Sequence, residues 1–450
     1  MDETAQLAAA GLFDARPPRY TSYPAAPHFT GAVGPAANAA WLAAAGEAGA
    51  PVSLYIHIPF CRRLCWFCAC RTQGVLTDAP ILAYLDALER EIETVGDAIG
   101  RVAPAARLHL GGGTPTILKP ELMARLSAAL RRRFRFEDDA EISVEIDPNE
   151  IDEARIDALV ALGMNRASLG VQDFDPAIQQ AIGREQSFRQ TAETAQALRA
   201  AGVRSLNVDL VYGLPGQRPD GLRRTIRRLL WLRPDRIALY GYAHAPNLAR
   251  RQVMIREDDL PDPRARFELA EGAREILIGA GYRPIGFDHF ALPEDGLAQA
   301  QAAGRLRRNF QGYTDDAAGV LIGLGASAIS EFPQGYAQNA PATADWMRAV
   351  REGRLATARG HAFAGEDIPR KKAINQLLCD FALDLNAPEL APHRGILEAD
   401  LLRAALTWPE FVAYRGGRLV VLPEGRPLVR LVAQAFDGYA REAARYSLAV

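Results

Sequence analysis

The sequence predicts an α/β protein in which parallel strands carry helices on their outer side. Short apolar runs with strand-like composition alternate with amphipathic stretches of helical spacing between about residues 51 and 290. Two of the helical stretches are followed by glycine, at Gly163 and Gly202, where a C-terminal glycine stops a helix. Because consecutive parallel strands need a crossover connection, usually a helix, this alternation indicates repeated strand–helix units.

Strands and helices can be placed individually in this region. The predicted strands are 53–58, 108–110, 142–146, 166–169, 206–211 and 237–240. The predicted helices are 81–99, 120–134, 153–162, 188–201 and 221–232. In folds of this kind, functional residues gather where a strand ends and the next helix has not begun. Cysteines, a glycine turn and polar side chains lie at or near the ends of the predicted strands, which predicts one shared site.

The segments on either side differ in composition from the alternating region. Residues 1–50 combine several prolines with an alanine-rich stretch at 37–45, which predicts an arm wrapped on a larger body. Residues 291–364 are interpreted as an extension and connecting segment. Within it we expect a helix at 300–308, a polar loop at 309–314 and an apolar run with glycines at 320–329.

Residues 365–450 are predicted to form a mainly helical C-terminal domain. Helical spacing occurs at 370–381 and 398–406, and a hairpin follows with its turn at Gly416 and Gly417. Helices combined with a hairpin predict a winged-helix-like module. This region shows no basic face, so nucleic acid is not an expected partner.

Charge and hydropathy narrow the class of protein. The formal net charge is only −2, which does not favour nucleic acid or an anionic membrane as a partner. The acidic start at Met1 lacks the basic and apolar parts of a secretory signal, and no apolar run approaches the length of a membrane span. We therefore expect a cytoplasmic protein whose thiols stay reduced.

A cluster of cysteines is the most informative feature of the sequence. Four of the five cysteines, Cys61, Cys65, Cys68 and Cys70, fall within ten positions, and Cys379 stands alone as an expected packing residue. Structural zinc usually takes a second, distant pair of ligands, which is missing here. An iron–sulfur cluster is therefore favoured, with CxxxCxxC supplying three thiolates and leaving one iron open. Zinc and a set of buried thiols remain the alternatives.

Several motifs together resemble one known family. The CxxxCxxC after a strand resembles the signature of radical S-adenosylmethionine (SAM) enzymes, and the added CxC of Cys68 and Cys70 resembles the oxygen-independent coproporphyrinogen III oxidases (dehydrogenases) of haem biosynthesis. The similarity runs over nearly the whole chain, from Arg19-Tyr-Thr-Ser-Tyr-Pro24 through Asn309-Phe-Gln-Gly-Tyr-Thr314. It implies that residues 51–290 form an incomplete six-stranded (β/α) barrel and that 19–24 help to cover the active site.

The resemblance also implies cofactors, substrate and reaction. A 4Fe-4S cluster on Cys61, Cys65 and Cys68 would cleave SAM to a 5′-deoxyadenosyl radical, and two SAM molecules are expected. The implied substrate is coproporphyrinogen III, two of whose four propionates become vinyl groups with loss of CO2, giving protoporphyrinogen IX. An electron donor for the cluster and an unknown electron acceptor are the other expected partners, and the chain is expected to be a monomer.

Individual site residues follow mainly from the resemblance. The glycine turn after the second strand, with Gly112, Gly113 and Thr114, is expected to approach the amino-acid part of the cofactor, although such clusters are commonly simple turns. The other residues expected at the first SAM are Tyr55, Phe67, Glu145 and Ile329, with Phe67 either shielding the cluster or packing as an ordinary core aromatic. Those expected at the second SAM are Gln172, Arg184, Asp209 and Ala243.

Cys70 is the residue that best distinguishes the oxidase family from the haem-trafficking relatives. A fourth ligand would close the open iron, so Cys70 is expected to be catalytic or supporting, and Tyr55 is expected to join it. Haem-trafficking relatives tend to have phenylalanine at the CxC cysteine and to lack residues 19–24, whereas both features are present here. One departure is Ala69, where the family often has glycine.

Other rivals and other candidate residues remain open. A haem-binding chaperone, a radical methyltransferase or ring-opening relative, and a cluster protein that serves only electron transfer are the alternatives. Candidates for binding propionates or lining the substrate site are Arg19, Arg307, Arg308, His244 and His289.

Overall fold

The structure is a computed structural model that describes residues 3–440 and residue 449. Its strands are β1 (Val52–Ile58), β2 (Phe60–Cys61), β3 (Gln73–Gly74), β4 (Ala103–Gly112), β5 (Phe134–Ile146), β6 (Arg166–Gln172), β7 (Ser205–Tyr212), β8 (Arg236–Gly241), β9 (Arg283–Ile285), β10 (His289–Ala291), β11 (Arg307–Asn309), β12 (Gly312–Thr314), β13 (Leu321–Leu324), β14 (Ile329–Phe332), β15 (Gly335–Asn339), β16 (Thr357–Ala362), β17 (Ala382–Asp384), β18 (Val412–Arg415) and β19 (Arg418–Val421). Its α-helices are α1 (Glu3–Ala9), α2 (Pro35–Ala48), α3 (Ala79–Ile99), α4 (Pro120–Arg133), α5 (Glu153–Leu162), α6 (Pro176–Ala181), α7 (Phe188–Ala200), α8 (Pro219–Trp231), α9 (Pro263–Gly279), α10 (Gly296–Ala302), α11 (Thr343–Arg351), α12 (Asp367–Asp380), α13 (Arg394–Thr407) and α14 (Val429–Gln434). Within this described part of the chain, no helix is long and apolar enough to cross a membrane.

One mixed sheet of twelve strands forms the body of the protein. Its order is β16-β15-β14-β13-β1-β4-β5-β6-β7-β8-β10-β9, so the two ends do not meet and the sheet stays open. The six predicted strands correspond to β1, β4, β5, β6, β7 and β8, which pair in parallel in that order. The predicted α/β class and the incomplete barrel are confirmed.

Strand β13 adds a seventh parallel strand next to β1, which the sequence analysis did not predict. It lies in the run expected only to be apolar, and β14 to β16 follow it as antiparallel neighbours. No strand–helix alternation precedes β13, and its run contains Gly323 and Gly325, so the pattern that identified the other parallel strands is missing here.

The strands place alternate side chains on opposite faces of the sheet. On β7, Leu206, Val208 and Leu210 are buried in the apolar core between sheet and helices. Asn207 and Asp209, the residues between them, line a cavity on the inner face. The alternation of apolar and polar residues along the strand therefore places apolar side chains in the core and polar side chains in the wall of the cavity.

The helix expected at 300–308 is wrong in its bounds. Helix α10 begins earlier because Asp295 caps it, accepting a hydrogen bond from the Leu297 amide. It ends at Ala302, and Gly304 then adopts a left-handed conformation with φ of 63°. Beyond it, β11 and β12 pair as an antiparallel hairpin where a polar loop was expected.

The C-terminal region has the predicted helices and hairpin. Helices α12 and α13 match the expected helical stretches, and the β18–β19 turn is made by Gly416 and Gly417 with φ of 58° and 87°. β17 adds a third antiparallel strand to the hairpin. Tyr20 and Tyr23 of the N-terminal region are buried in the apolar cluster of these C-terminal elements. The winged-helix-like description stays a prediction.

Glu91 on α3 has a fully buried carboxyl group that makes hydrogen bonds to three segments at the β13 side of the sheet. It accepts hydrogen bonds from the Gly325 amide at 2.6 Å, Asn339 Nδ2 at 2.6 Å and Trp346 Nε1 at 3.0 Å. Burial raises the pKa of Glu91 to about 7, although the three hydrogen bonds oppose the shift. The carboxyl group of Glu91 therefore links the loop after β13, strand β15 and helix α11 through hydrogen bonds.

We expect Glu91→Ala to lower the free energy of unfolding by about 3 kcal/mol, because three buried donors lose their acceptor. Since the pKa is raised in the folded state, the contribution of Glu91 is full at low pH and is lost as pH rises from about 4.5 towards 7. Denaturant unfolding from pH 4.5 to 8 checks this, with Asp86→Asn on the exposed face of α3 as the control. A wild-type to variant difference that does not shrink with pH would contradict it.

Candidate active site

A polar cavity of about 260 Å³ runs along the inner face of the parallel strands. Each of these strands contributes side chains to it, and the segment 310–316 closes one side. Its lining includes Tyr55 from β1, His109 from β4, Glu145 from β5, Ser168 from β6, Asp209 from β7 and Tyr240 from β8. The strands therefore bring together residues far apart in the sequence, as their predicted parallel arrangement requires.

Glu145 is an ionised acceptor in this cavity. Its Oε2 accepts a hydrogen bond from the Gly112 amide at 3.0 Å, and its Oε1 lies 3.3 Å from His109 Nε2. Burial alone would raise the pKa of Glu145, but these contacts with His109 and Gly112 lower it below its usual value. A carboxylate kept charged here could receive an ammonium group.

The glycine turn after β4 is shaped by contacts with the protein itself. Gly112 has φ of 112°, and a Cβ there would lie 2.6 Å from the His57 ring. A Cβ at Gly113 would lie 2.6 Å from the Phe60 carbonyl oxygen. Both positions need glycine for packing. Thr114 follows directly and is buried, and its amide donates to the Phe60 carbonyl at 2.8 Å, so the turn lies between the start of the cysteine loop and Glu145.

The cysteine loop starts at the end of β2 and leaves all four thiols free. Cys65 is buried, Cys61 and Cys68 are half-buried, and Cys70 is exposed. Burial raises the pKa of Cys61 to about 11. Across the residues that the structure describes, no three His, Cys, Asp or Glu side chains converge tightly enough to hold a single metal ion. A 4Fe-4S cubane has a different requirement, because each thiolate binds its own iron.

Arg184 connects this loop to the end of β6. Its Nη1 lies 3.5 Å from Cys65 Sγ and 3.2 Å from Asp147 Oδ2, and its Nη2 donates to the Gly170 carbonyl at 2.9 Å. Iron–sulfur clusters take cysteine thiolates as ligands, and a cationic guanidinium beside the loop would offset part of the negative charge that these thiolates bring. The donor chemistry of the loop therefore fits an iron–sulfur cluster. Gln172, at the end of β6, has a left-handed backbone with φ of 67°.

Phe67 and Ala243 are joined by a residue that the sequence analysis missed. Gln252 is fully buried, and its Nε2 donates to the Phe67 carbonyl at 2.8 Å and to the Ala243 carbonyl at 3.0 Å. The amide thereby fixes the cysteine loop against the segment after β8. A single glutamine outside any recognisable motif gives no signal in the sequence that its side chain links two segments of the chain. Phe67 itself packs on the apolar cluster that contains Ile182.

Tyr55 is buried between aromatic neighbours on the cavity wall. Its hydroxyl lies 2.9 Å from His57 Nδ1, and its ring is stacked on His109 and edge-on to Phe310. Burial raises the pKa of Tyr55 well above its usual value, so the phenol stays neutral. Cys70 lies at the outer end of the cysteine loop, where its amide donates to Cys68 Sγ at 3.4 Å.

The structure places the predicted residues in two groups. Tyr55, Glu145 and Asp209 line the 260 Å³ cavity, and Asp209 accepts hydrogen bonds from Ser168 Oγ and Asn207 Nδ2. Residues outside that lining lie at strand ends and in the adjoining loops: Phe67, Gly112, Gly113, Thr114, Gln172, Arg184, Ala243 and Ile329.

Of the candidates for substrate contact, His289 lines the cavity and His244 does not. His244 is instead hydrogen-bonded to the Tyr242 hydroxyl at 2.9 Å. Arg308 is buried, ion-paired with Asp288 at 3.4 Å and placed over the Phe287 ring. The expectation of a propionate-binding Arg308 is therefore not supported, because Arg308 does not line the cavity.

Comparison with known proteins agrees with this geometry. Residues 55–229 match the model of the radical SAM superfamily. The chain is 53% identical over 455 aligned residues to the oxygen-independent coproporphyrinogen III oxidase of Paracoccus denitrificans, covering all of both chains. It is 40% identical to the enzyme of the same name from Pseudomonas aeruginosa, covering 95% of this chain and 94% of that one. The solved coproporphyrinogen III oxidase from Escherichia coli, a radical SAM enzyme, matches with a TM-score of 0.89 and 39% identity over 94% of this chain and 97% of that one.

The open parallel sheet, the cysteine loop and the matched segment define a radical SAM enzyme. Within that superfamily, the chain belongs to the family of oxygen-independent coproporphyrinogen III oxidases. It is thus an oxidoreductase, and the family implies a 4Fe-4S cluster and SAM as its cofactors. The resemblance stated from the sequence is confirmed, and the relatives favour the oxidase over the haem-binding alternative.

Proposed function

We propose that the chain oxidatively decarboxylates two propionates of coproporphyrinogen III to vinyl groups, forming protoporphyrinogen IX without oxygen. For each propionate, one hydrogen atom passes to the 5′-deoxyadenosyl radical, CO2 leaves, and one electron passes to a separate electron acceptor. The observation that carries this proposal is the 53% identity over the full length to an oxidase of that name. Cys70 and the segment 19–24 support it, because both are features of the oxidases that haem-trafficking relatives tend to lack.

Cys61, Cys65 and Cys68 are proposed as the ligands of a 4Fe-4S cluster. They are free thiols in one loop, and the cationic Arg184 lies 3.5 Å from Cys65 Sγ, where it would offset part of the negative charge of bound thiolates. When bound, the cluster and SAM supply a radical that abstracts a hydrogen atom from the propionate. Phe67 lies between two of the proposed ligands and is proposed to limit access of water.

Glu145 is proposed to accept hydrogen bonds from the ammonium group of the first SAM. Its lowered pKa and its position beside the Gly112 amide support this role. The other residues proposed at the first SAM are Tyr55, Gly112, Gly113, Thr114 and Ile329. We propose a second SAM held by Gln172, Arg184, Asp209 and Ala243, with Asp209 directed at ribose hydroxyls.

We expect Glu145→Gln to weaken SAM binding roughly 10-fold or more, because the amide cannot pair with an ammonium group. The measurement is a SAM titration of the reduced, cluster-loaded protein followed by the spectrum of the cluster. Glu121→Gln, on the exposed side of α4, is the control and should bind SAM like the wild type. Unchanged affinity in Glu145→Gln would remove Glu145 from the site.

The whole function is tested by an anaerobic assay with reductant, SAM and coproporphyrinogen III. We expect successive losses of the mass of formic acid from the tetrapyrrole, together with 5′-deoxyadenosine. Tight haem binding without any change of the tetrapyrrole would move the chain to the haem-binding alternative. A methylated or linear tetrapyrrole would point to the methyltransferase or ring-opening alternative.

Location, assembly and domain division are also proposals. We propose a cytoplasmic monomer with an arm (1–50), a radical SAM barrel (51–290), an extension (291–364) and a C-terminal helical domain (365–450). Arg19 supports a covering role for the arm, because its guanidinium donates to the Gly241 carbonyl at 2.7 Å, at the end of β8.

A further inference from the structure

The cavity is lined by four basic or potentially basic side chains, and three are already engaged by protein groups. The four are Arg107, His109, Arg166 and His289. Arg107 and Arg166 form ion pairs with Glu141 at 3.0 and 3.1 Å. His109 has a polar neighbour at each ring nitrogen, one of which is Glu145. His289 is therefore the strongest candidate among the described lining residues for binding an anion.

His289 is held from behind by a carboxylate. The side chain is 7% exposed on β10, and its Nδ1 lies 2.6 Å from Asp288 Oδ1. Although burial opposes ionisation, Arg308 and His289 keep the pKa of Asp288 well below its usual range. An ionised carboxylate at Nδ1 fixes a proton on that nitrogen and so sets the orientation of the ring, with Nε2 as its other end.

The other nitrogen of His289 has only a weak contact. The nearest polar partner of Nε2 is the Tyr240 hydroxyl at 3.5 Å, the limit of a hydrogen bond. Gly312 is also close, because a Cβ at this position would lie 3.5 Å from Nε2 and 3.8 Å from the Tyr240 hydroxyl. Tyr240 and His289 both line the cavity. A carboxylate entering the cavity would therefore meet a ring nitrogen that has only a weak partner within the protein.

We propose that His289, as an imidazolium held by Asp288, binds the carboxylate of the propionate that is to be decarboxylated. This inference rests on the proposed function. A substrate carboxylate that enters this cavity loses part of its hydration, so a cationic partner is needed to receive it. A vinyl group and CO2 carry no charge, so the processed side chain is no longer attracted to His289 and the next propionate can replace it.

The experiment compares His289→Gln with the wild type as the reconstituted, cluster-loaded full chain under anaerobic conditions. KM and kcat are measured for coproporphyrinogen III, and SAM affinity and SAM cleavage are measured without tetrapyrrole. We expect KM for coproporphyrinogen III to rise roughly 10- to 100-fold, because a charge-assisted hydrogen bond is lost. SAM affinity and cleavage should stay at the wild-type value. His393→Gln in the C-terminal region is the matched control and should leave all values unchanged.

Each other outcome overturns the inference in a recognisable way. An unchanged KM for coproporphyrinogen III would remove His289 from substrate binding. A loss of SAM affinity with an unchanged tetrapyrrole KM would assign the carboxylate to the amino-acid part of SAM instead. A wild-type protein that does not decarboxylate coproporphyrinogen III would overturn the proposed function, and this inference with it.

Asp288→Asn is a second variant that keeps the shape of the pair and removes the charge behind the imidazole. If His289→Gln lowers the melting temperature of the protein, Asp288→Asn still tests whether the His289–Asp288 pair binds the substrate carboxylate. We expect KM for coproporphyrinogen III to rise in the same direction, with SAM cleavage retained, because Asp288 positions and charges His289. Wild-type KM in a folded Asp288→Asn protein would contradict the role of the pair.

Discussion

Replacing Cys65 with serine is expected to abolish both SAM cleavage and decarboxylation. A serine hydroxyl does not supply the soft thiolate that iron–sulfur clusters bind, and Cys65 is the buried member of the three proposed ligands. We expect the rate of 5′-deoxyadenosine formation to fall by at least about 1,000-fold, equivalent to ~4 kcal/mol in the barrier. Iron and sulfide content and the visible spectrum of the reconstituted protein should show loss of the cluster.

Cys379→Ser is the matched control for this substitution. Cys379 is also buried, but it lies on α12 in a different apolar cluster and is hydrogen-bonded to Asn375. Its replacement should leave iron content and SAM cleavage unchanged. A cluster retained in Cys65→Ser, or lost in Cys379→Ser, would show that the metal site lies elsewhere.

Replacing Cys70 with serine is expected to separate SAM cleavage from decarboxylation. Cys70 lies outside the three-ligand set and is exposed at the end of the cysteine loop, so its loss should leave the cluster in place. We expect 5′-deoxyadenosine to form in the presence of reductant, while decarboxylation falls roughly 100-fold, the size typical of a lost catalytic proton donor or acceptor. Iron content and the two products are measured on one sample.

Two results would contradict this role of Cys70. A fall in iron content to the level of Cys65→Ser would make Cys70 a cluster ligand. Full decarboxylation in Cys70→Ser would leave the CxC motif without a catalytic role. A wild-type sample carried through the same reconstitution sets the reference for both.

The parallel strands could be predicted because each carries its own local signal. β1 and β7 are apolar runs followed or preceded by helices, and their bounds differ from the prediction by only a residue at an end. β13 was missed because it joins β1 without a strand–helix unit before it. The hairpin β11–β12 was missed because its strands, Arg-Arg-Asn and Gly-Tyr-Thr, are only three residues long and have no apolar alternation to recognise.

The proposed ligands of the site could be predicted from spacing, and several residues of the cavity wall from the family resemblance, whereas the contacts between those wall residues could not. Cys61, Cys65 and Cys68 are close in sequence, so their proximity does not depend on the fold. The contact of His289 with Tyr240 joins the neighbouring antiparallel strands β10 and β8, a pairing that only the tertiary structure supplies. The same holds for Gln252, whose role is defined by two carbonyl groups, one of them in the distant cysteine loop.

The most direct test of this account follows a single hydrogen atom. Coproporphyrinogen III carrying deuterium on the β-carbon of its propionates is incubated anaerobically with the cluster-loaded protein, reductant and unlabelled SAM. If the chain is a radical SAM decarboxylase, the 5′-deoxyadenosine formed will carry one deuterium and the tetrapyrrole will gain vinyl groups. Unlabelled 5′-deoxyadenosine, or vinyl groups formed without it, would contradict the account.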